Sequence, residues 1–245
     1  RKMSKSLGNI IDPLDMIEAY GADALRLALF VGSSPGNDMR LYKEKIEGYR
    51  NFVNKLWNVA RYILHTAESA PLKKTLPKPI TLADQWILSR LSSIVESTTE
   101  ALETFHFSKA AEDLYAFTWN DLADWYLEIS KVQKNSSDEK LKKNTDQILL
   151  FILNTLLRLW HPFTPFVTEE LWKQVEGFLL ITTSWPKAEK KLGNAKAEEH
   201  FEKLRSVISG IRNLRTEHKV EPAKKAAPAK KATVKKAKSK TQKVQ

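Results

Sequence analysis

Residues 44–68 read EKIEGYRNFVNKLWNVARYILHTAE, and the reading of this stretch decides the fold. Ile46, Tyr49, Phe52, Val53, Leu56, Trp57, Ala60, Ile63 and Leu64 recur at three- and four-residue spacing, the period of an α-helix with one apolar face. Such a helix reaches about 37 Å. Its other face carries Glu47, Asn51, Asn54, Asn58 and Arg61, again at steps of four and three, so they form one polar stripe. Asparagine is a mediocre helix former, and Lys, Glu or Gln would serve a merely solvated face better. Amides on a rigid helix are suited to reading the edges of splayed-out bases in a single-stranded RNA loop. The competing reading has them bonding to neighbouring helices or loops.

Outward from this helix the pattern repeats. Residues 70–79, with three prolines, read as a surface linker, after which Thr81 or Asp84 opens a helix bearing Trp86, Ile87, Leu91, Ile94, Val95, Thr98, Leu102 and Phe105. Phe105-His106-Phe107 reads as a hinge and Ser108 as the next N-cap, followed by a helix with Ala111, Leu114, Tyr115, Thr118, Leu122, Trp125, Tyr126 and Ile129 inside. The helix over about 140–160 contains a run of Leu, Phe and Ile at 148–153, apolar all round and therefore central. His161-Pro162 ends it, and Thr164-Pro165 caps and starts another that carries Phe166, Val167, Leu171 and Trp172. Leu179 to Trp185 reads as extended, and a last helix from Ala195 to Glu217 places Phe201, Leu204, Val207, Ile208, Ile211 and Leu214 inside. Upstream, Asp12-Pro13 starts a helix that Gly21 ends, Asp23 caps a second, and Met39–Tyr42 reads as a short strand.

The fold class is mainly α: a short mixed α/β segment, an antiparallel helical bundle and a disordered basic tail. The domain boundaries expected are 1–42, 43–178, 179–220 and 221–245. Of the net charge of +11, the nine lysines of residues 222–245 supply +9, so the remainder is nearly neutral. The Lys/Ala/Pro tail cannot build a core and suits salt-sensitive, sequence-independent binding of a polyanion, or mere solubility. With no cysteine and five scattered histidines, no structural metal is expected. No apolar run approaches a membrane span, and a soluble cytoplasmic protein is the expectation.

Other candidates are weaker. Asp121, Asp124 and Glu128 lie on one helix and raise an acid/base reading, but no partner base accompanies them. Trp119, Trp125 and Tyr126 could stack on bases, though their spacing favours the core. Arg205, Arg212 and Arg215 form a candidate phosphate stripe against a solvated face. His161, just before a proline, reads as a capping or packing residue rather than a ligand.

At the start of the chain, Lys2-Met3-Ser4-Lys5-Ser6 precedes Leu7-Gly8-Asn9. Two ammonium groups and two hydroxyls beside a glycine suit a polyphosphate. In their order these residues resemble the signature loop of class I aminoacyl-tRNA synthetases, which closes over ATP during adenylate formation. The resemblance implies ATP binding by Lys2, Met3, Ser4, Lys5 and Ser6, with Lys2 and Lys5 as the catalytic, phosphate-contacting lysines. Since residue 1 is Arg and nothing precedes the loop, the chain reads as a C-terminal fragment that is not catalytic alone.

Among the editing synthetases the valyl family is the best match. Ser34-Pro35-Gly36-Asn37-Asp38, the run from Glu47 to Asn58, Asp124-Trp125-Tyr126-Leu127-Glu128, the run from His161 to Trp172 and Ile211-Arg212-Asn213-Leu214-Arg215 carry the resemblance. It implies a class Ia anticodon-binding domain, with tRNA contacts at Asn51, Asn54, Asn58 and Arg61. For the parent protein it implies attachment of valine to tRNA(Val) with ATP and Mg2+, and a monomer is expected. The Lys/Ala/Pro tail stands where valyl enzymes carry a coiled coil. The alternatives are an isoleucyl or leucyl synthetase fragment, a non-catalytic RNA-binding helical module with a basic tail, and a nonspecific binder run by that tail.

Overall fold

A computed structural model describes residues 3, 10–33, 36, 38–67, 70, 71, 75–176 and 178–220. Lys2, Ser4, Lys5 and Ser6 of the opening loop, Gly177 and the tail from residue 221 lie outside the described residues. The chain comprises two units, residues 1–202 and 203–245.

Helix α1 (Pro13–Tyr20) starts where Asp12-Pro13 predicts, with Asp12 Oδ1 accepting from Leu14 N–H at 2.8 Å, and stops at Gly21, whose φ of 86° suits a residue without Cβ. Helix α2 (Ala22–Phe30) begins without the expected side-chain cap, because Asp23 is turned inward. The long helix α3 (Lys43–Thr66) closely follows the predicted range. Helix α4 (Leu82–Glu103) opens on a capping box in which Thr81 and Asp84 act together, each accepting the other's backbone N–H.

Next come α5 (Phe107–Ala116), a π-helical stretch (Phe117–Tyr126) and α6 (Leu127–Lys134), a continuous helical run where a single helix is expected. The π stretch ends with Leu127 N–H bonding Leu122 C=O, five residues back. Ser108 is not the N-cap: the helix starts one residue earlier, and Ser108 Oγ accepts from Gly32 N–H at 2.8 Å while donating to Glu112 at 2.7 Å. Helix α7 (Glu139–Trp160) is central, with Ile148, Leu149, Ile152, Leu153, Leu156 and Leu157 all buried. Helix α8 (Pro165–Trp172) and two 3-10 turns (Leu180–Thr182 and Lys190–Leu192) lead to α9 (Ala195–Glu217).

Side-chain pairs give the helix directions. Asp84, early in α4, meets Gln133, late in α6, so those helices run opposite. Thr118 pairs with Trp160 and Gln133 with Thr145, which makes α7 antiparallel to α5–α6. Lys55 pairs with Asp124 and Tyr62 with Ser130, so α3 runs parallel to α5–α6. The four columns therefore alternate up and down around a core of Phe52, Leu56, Ile63, Trp86, Leu91, Phe117, Tyr126 and Trp160. A smaller cluster of Met16, Leu25, Ala28 and Ile46 seats α1 and α2 on the start of α3.

Two expectations are corrected. Met39–Tyr42 forms no strand, and Leu179–Trp185 contains a 3-10 turn instead of an extended run. A strand needs a neighbouring backbone edge to complete its ladder, and no strand exists among the described residues to supply one. In the first unit's part of α9, Ala197 and Phe201 are buried, with Phe201 stacked on Trp86 at 3.9 Å between centroids. Leu204, Val207, Ile208, Ile211 and Leu214 of the second unit are exposed rather than inside.

The run from His161 to Trp172 is held from a distance. The Asp23 carboxylate caps α8, accepting from Val167 N–H at 2.7 Å and Phe166 N–H at 3.3 Å, while Arg26 donates to the carbonyls of Pro162 (2.8 Å) and Phe163 (3.1 Å). Thr164, the expected cap, makes no capping bond and donates back to Trp160 C=O. Burial raises the pKa of Asp23 against the opposing effect of its two backbone N–H donors.

His161 bonds through Nδ1 to Thr168 Oγ1 at 2.8 Å, with Glu169 4.0 Å from Nε2, so it packs and positions as expected. Burial lowers its pKa, with Glu169 and Asp23 opposing. The unfolded chain therefore takes up a proton first as pH falls below about 6.5, and stability drops there with a slope of at most about 1.4 kcal/mol per pH unit. Urea unfolding at pH 7.5, 6 and 5 should show this contribution as a difference, the protein losing more stability than His161→Gln as pH falls, while the raised pKa of Asp23 acts in the opposite sense in both; an equal loss in the two would assign the pH dependence elsewhere.

Candidate nucleic-acid interface

The apolar period of α3 buries Phe52, Leu56, Val59, Ala60 and Ile63 and so turns the complementary positions outward. Glu47, Asn51, Asn54, Asn58 and Arg61 are all exposed, on one face of a helix whose other face is locked into the core. Among the described residues, Asn54, Asn58 and Arg61 make no side-chain hydrogen bond or ion pair, so those two amides are not spent on neighbouring helices. Asn51 differs: its Oδ1 accepts from Arg50 at 3.4 Å, and Arg50 also pairs with Glu47 at 3.3 Å.

The stripe runs into a cleft of about 680 Å³ between the end of α3, α7 and the residues that follow α8. Asn58, Arg61, Tyr62, His65, Gln174 and Val175 line it, together with Leu64, Ala67, Ala70 and Leu150. Tyr62 supplies an aromatic ring, with Lys131 Nζ 5.8 Å from its centroid and its hydroxyl 3.4 Å from Ser130 Oγ. The site thus combines amides, a guanidinium and a π-face, the groups that bind unstacked bases and their phosphates. Tyr62 and His65 escaped the sequence reading, although they stand four residues after Asn58 and Arg61 on the same face. No spacing in the sequence connects Gln174 to them.

The acidic residues nearby are neutralised. Asp124 pairs with Lys55 at 3.3 Å and Glu128 with Lys131 at 2.6 Å. Asp121 is buried and bonded to Arg90 Nε at 3.1 Å. None of the three lines the cleft, which leaves the acid/base reading without a site. Tyr126 is fully buried and Trp125 meets Phe201 edge-on at 6.1 Å, so both belong to the core. Trp119 packs beside Tyr115 (5.7 Å) and carries Lys55 Nζ 4.4 Å from its ring.

Arg205, Arg212 and Arg215 each already engage another group. Of the opening loop only Met3 is described, and it is exposed; the contacts expected of Lys2 and Lys5 lie outside the described residues. Among the described residues no group of three or more His, Cys, Asp or Glu could hold a metal ion, and no helix is long and apolar enough to cross a membrane.

The sequence and the fold are similar to those of known proteins. Residues 84–232 match the family model described as the anticodon-binding domain of tRNA ligase, and residues 1–42 match that of the class I tRNA synthetases for isoleucine, leucine, methionine and valine. The valine–tRNA ligase of Geobacillus stearothermophilus is 43% identical over 230 residues, 93% of this chain and 26% of that protein. That of Anoxybacillus flavithermus is 44% identical over 89% of this chain and 25% of its own length. The chain therefore spans about a quarter of the length of these relatives. Among solved structures, a leucyl-tRNA synthetase of Agrobacterium radiobacter K84, in a ternary complex with tRNA and LeuAMS, superposes with a TM-score of 0.66 at 26% identity, over 80% of this chain and 23% of that one. Mycobacterium tuberculosis methionyl-tRNA synthetase, at 23% identity and a TM-score of 0.58 over 69% of this chain and 35% of that one, shares the fold.

Proposed function

Because this chain belongs to the family of tRNA-ligase anticodon-binding domains, we propose that its bundle holds the anticodon stem and loop of tRNA(Val), with the exposed face of α3 as the reading surface. The observation that supports this most is the pair of unpartnered amides, Asn54 and Asn58, leading with Arg61 into the cleft beside Tyr62. A splayed-out base entering that cleft finds a ring to stack on and amide groups for its edge, and Arg61 meets the phosphate beside it. Asn51 is the outlying member, since part of its hydrogen-bonding capacity is taken by Arg50.

In the protein that carries the whole ligase, the reaction is attachment of valine to tRNA(Val) through an adenylate, with ATP and Mg2+. Class I synthetases use ATP, and we assign Lys2 and Lys5, with Met3, Ser4 and Ser6, to its phosphates on the resemblance of the opening loop. Residues 1–42 then serve as the end of the catalytic part, 43–178 as the anticodon-binding bundle, 179–220 as a C-terminal extension and 221–245 as a basic tail. The reaction is placed in the cytoplasm, where tRNA is charged.

The test is binding of tRNA(Val) transcripts to this chain and to a variant lacking residues 222–245, at low and moderate salt. The shortened variant should bind with a shallower salt slope, having lost cationic side chains, yet still discriminate against a changed anticodon. Equal binding of wild-type and anticodon-changed transcripts by the shortened variant would remove the anticodon assignment. Loss of all binding on shortening would leave only a tail-driven polyanion binder. For the ligase itself, pyrophosphate exchange driven by isoleucine or leucine instead of valine would replace the substrate.

A further inference from the structure

Glu44, Gly48 and Tyr49 of α3 and Glu112 and Tyr115 of α5 line a cavity of about 440 Å³ that shares no residue with the cleft at Asn58 and Arg61. Its size falls in the range of small-molecule sites, about 300–1,000 Å³. Gly48 stands inside α3, where glycine is the poorest helix former after proline. A Cβ built on it meets nothing within 4 Å, so packing among the described residues does not explain the glycine, whereas close approach of a ligand to the helix backbone does. Glu44 and Glu112 make no ion pair among the described residues. Glu112 accepts from Ser108 Oγ at 2.7 Å, and the nearby Lys109 is taken by Asp113 at 2.8 Å. The hydroxyls of Tyr49 and Tyr115, both half-buried, have no hydrogen-bond partner among the described residues either. Lys45 is the cation of the lining, and its Nζ is tied to Val31 C=O at 2.7 Å. Two carboxylates against one ammonium leave the lining with an excess of one negative charge. Burial, with Tyr115, Glu112 and Tyr42 nearby, pushes Tyr49 up to about 12, so its phenol stays uncharged.

We propose that this cavity binds a small organic cation, a primary ammonium on an apolar body. An ammonium offers three donors and no acceptor, which suits two carboxylates and a phenol oxygen. The body lies over Gly48 against the rings of Tyr49 and Tyr115, whose faces also attract positive charge. Tyr115 is held by Phe52, 4.5 Å away between centroids, and by Trp119, stacked at 5.7 Å, so that wall is preformed. An anion finds no free cation in the lining, and an RNA phosphate would meet Glu44 and Glu112, so the occupant is neither. The inference does not depend on the tRNA reading.

The test is NMR titration of the 15N-glycine-labelled chain with 2-phenylethylammonium at about 0.15 M NaCl. The chain has eight glycines, and Gly48→Ala identifies the Gly48 amide signal by its disappearance. That signal should move with a Kd below about 1 mM, a strength within reach of a ligand of this size. The alcohol 2-phenylethanol and the anion 3-phenylpropionate, of nearly the same shape, should bind at least about tenfold more weakly. The double variant Glu44→Gln, Glu112→Gln, whose amide oxygen can still accept from Ser108, should weaken the ammonium at least about tenfold while leaving 2-phenylethanol binding and the helical content unchanged. Gly48→Leu should fill the cavity and abolish binding read by calorimetry. A Gly48 signal unmoved by about 20 mM ammonium, far above that Kd, overturns the site. Equal binding of ammonium and alcohol, or ammonium binding that the double variant leaves intact, overturns the cation assignment. Calorimetric binding that survives Gly48→Leu puts the ligand elsewhere and also overturns the site.

Discussion

Replacing Asp84 with alanine should destabilise the bundle by about 3 kcal/mol, because the carboxylate organises the meeting point of three helices. It is fully buried. Oδ1 accepts from Tyr126 OH at 2.9 Å and Gln133 Nε2 at 3.0 Å, and Oδ2 accepts from the backbone N–H groups of Thr81 (2.9 Å) and Ile80 (3.1 Å). Alanine leaves the Tyr126 hydroxyl and the Gln133 amide buried without this acceptor, each a cost of about 1 kcal/mol or more, and frees the partly buried N–H groups of Ile80 and Thr81, partly offset by removal of a buried charge. Gln133 keeps Thr81 and Thr145 as partners, so the damage centres on Tyr126 and the start of α4. The burial and the nearby carboxylate that raise the pKa of Tyr126 keep its hydroxyl a donor over the whole accessible pH range. Urea denaturation at pH 7 gives the comparison, with Asp124→Ala as control. That residue is half exposed and paired only with Lys55, so its loss should cost less than about 0.5 kcal/mol. Equal effects at the two positions would refute this account of the network.

For the interface, the double substitution Asn58→Ala, Arg61→Ala should weaken binding of tRNA(Val) by about 10- to 100-fold at moderate salt. Both side chains are exposed and engage nothing else among the described residues, so the melting temperature should not move. The two singles should differ in kind. Arg61→Ala removes a cation and should lower affinity for every transcript together, with a shallower salt dependence. Asn58→Ala should chiefly narrow the gap between the correct and a changed anticodon, since an amide reads an edge. Asn51→Ala should do less than Asn58→Ala because Arg50 already holds its carbonyl oxygen. Identical losses for correct and altered anticodons in Asn58→Ala would demote this residue to a nonspecific contact.

The contrast between α3 and the residues around it shows how far the site was legible. Its helical span, its buried face and the exposure of Asn51, Asn54, Asn58 and Arg61 all follow from a 3.6-residue period, which needs only the order of residues. Tyr62 and His65 could have been added by continuing the stripe one turn. The cleft as a whole could not, because Gln174 and Val175 reach it only once α8 has docked on α7. Asp121, Asp124 and Glu128 looked alike in sequence, yet one is buried against Arg90 and the others are paired at the surface. Which neighbour each meets depends on the turn of the π-helical stretch, and nothing in the pattern of Phe117–Tyr126 announces that widening.

The sequence by itself determined what is settled within four residues along the chain. Asp12-Pro13 and Gly21 bound α1, Thr81 with Asp84 opens α4, and the apolar run at 148–153 makes α7 central, because caps and helix faces depend on local hydrogen bonds and a fixed period. The tertiary structure alone decided the rest. Asp23 caps α8 from 143 and 144 residues away instead of its own helix, and Met39–Tyr42 forms no strand because none exists among the described residues to pair with it. These outcomes turn on which groups packing brings together, and a buried donor or carboxylate takes whichever partner the completed core leaves within reach.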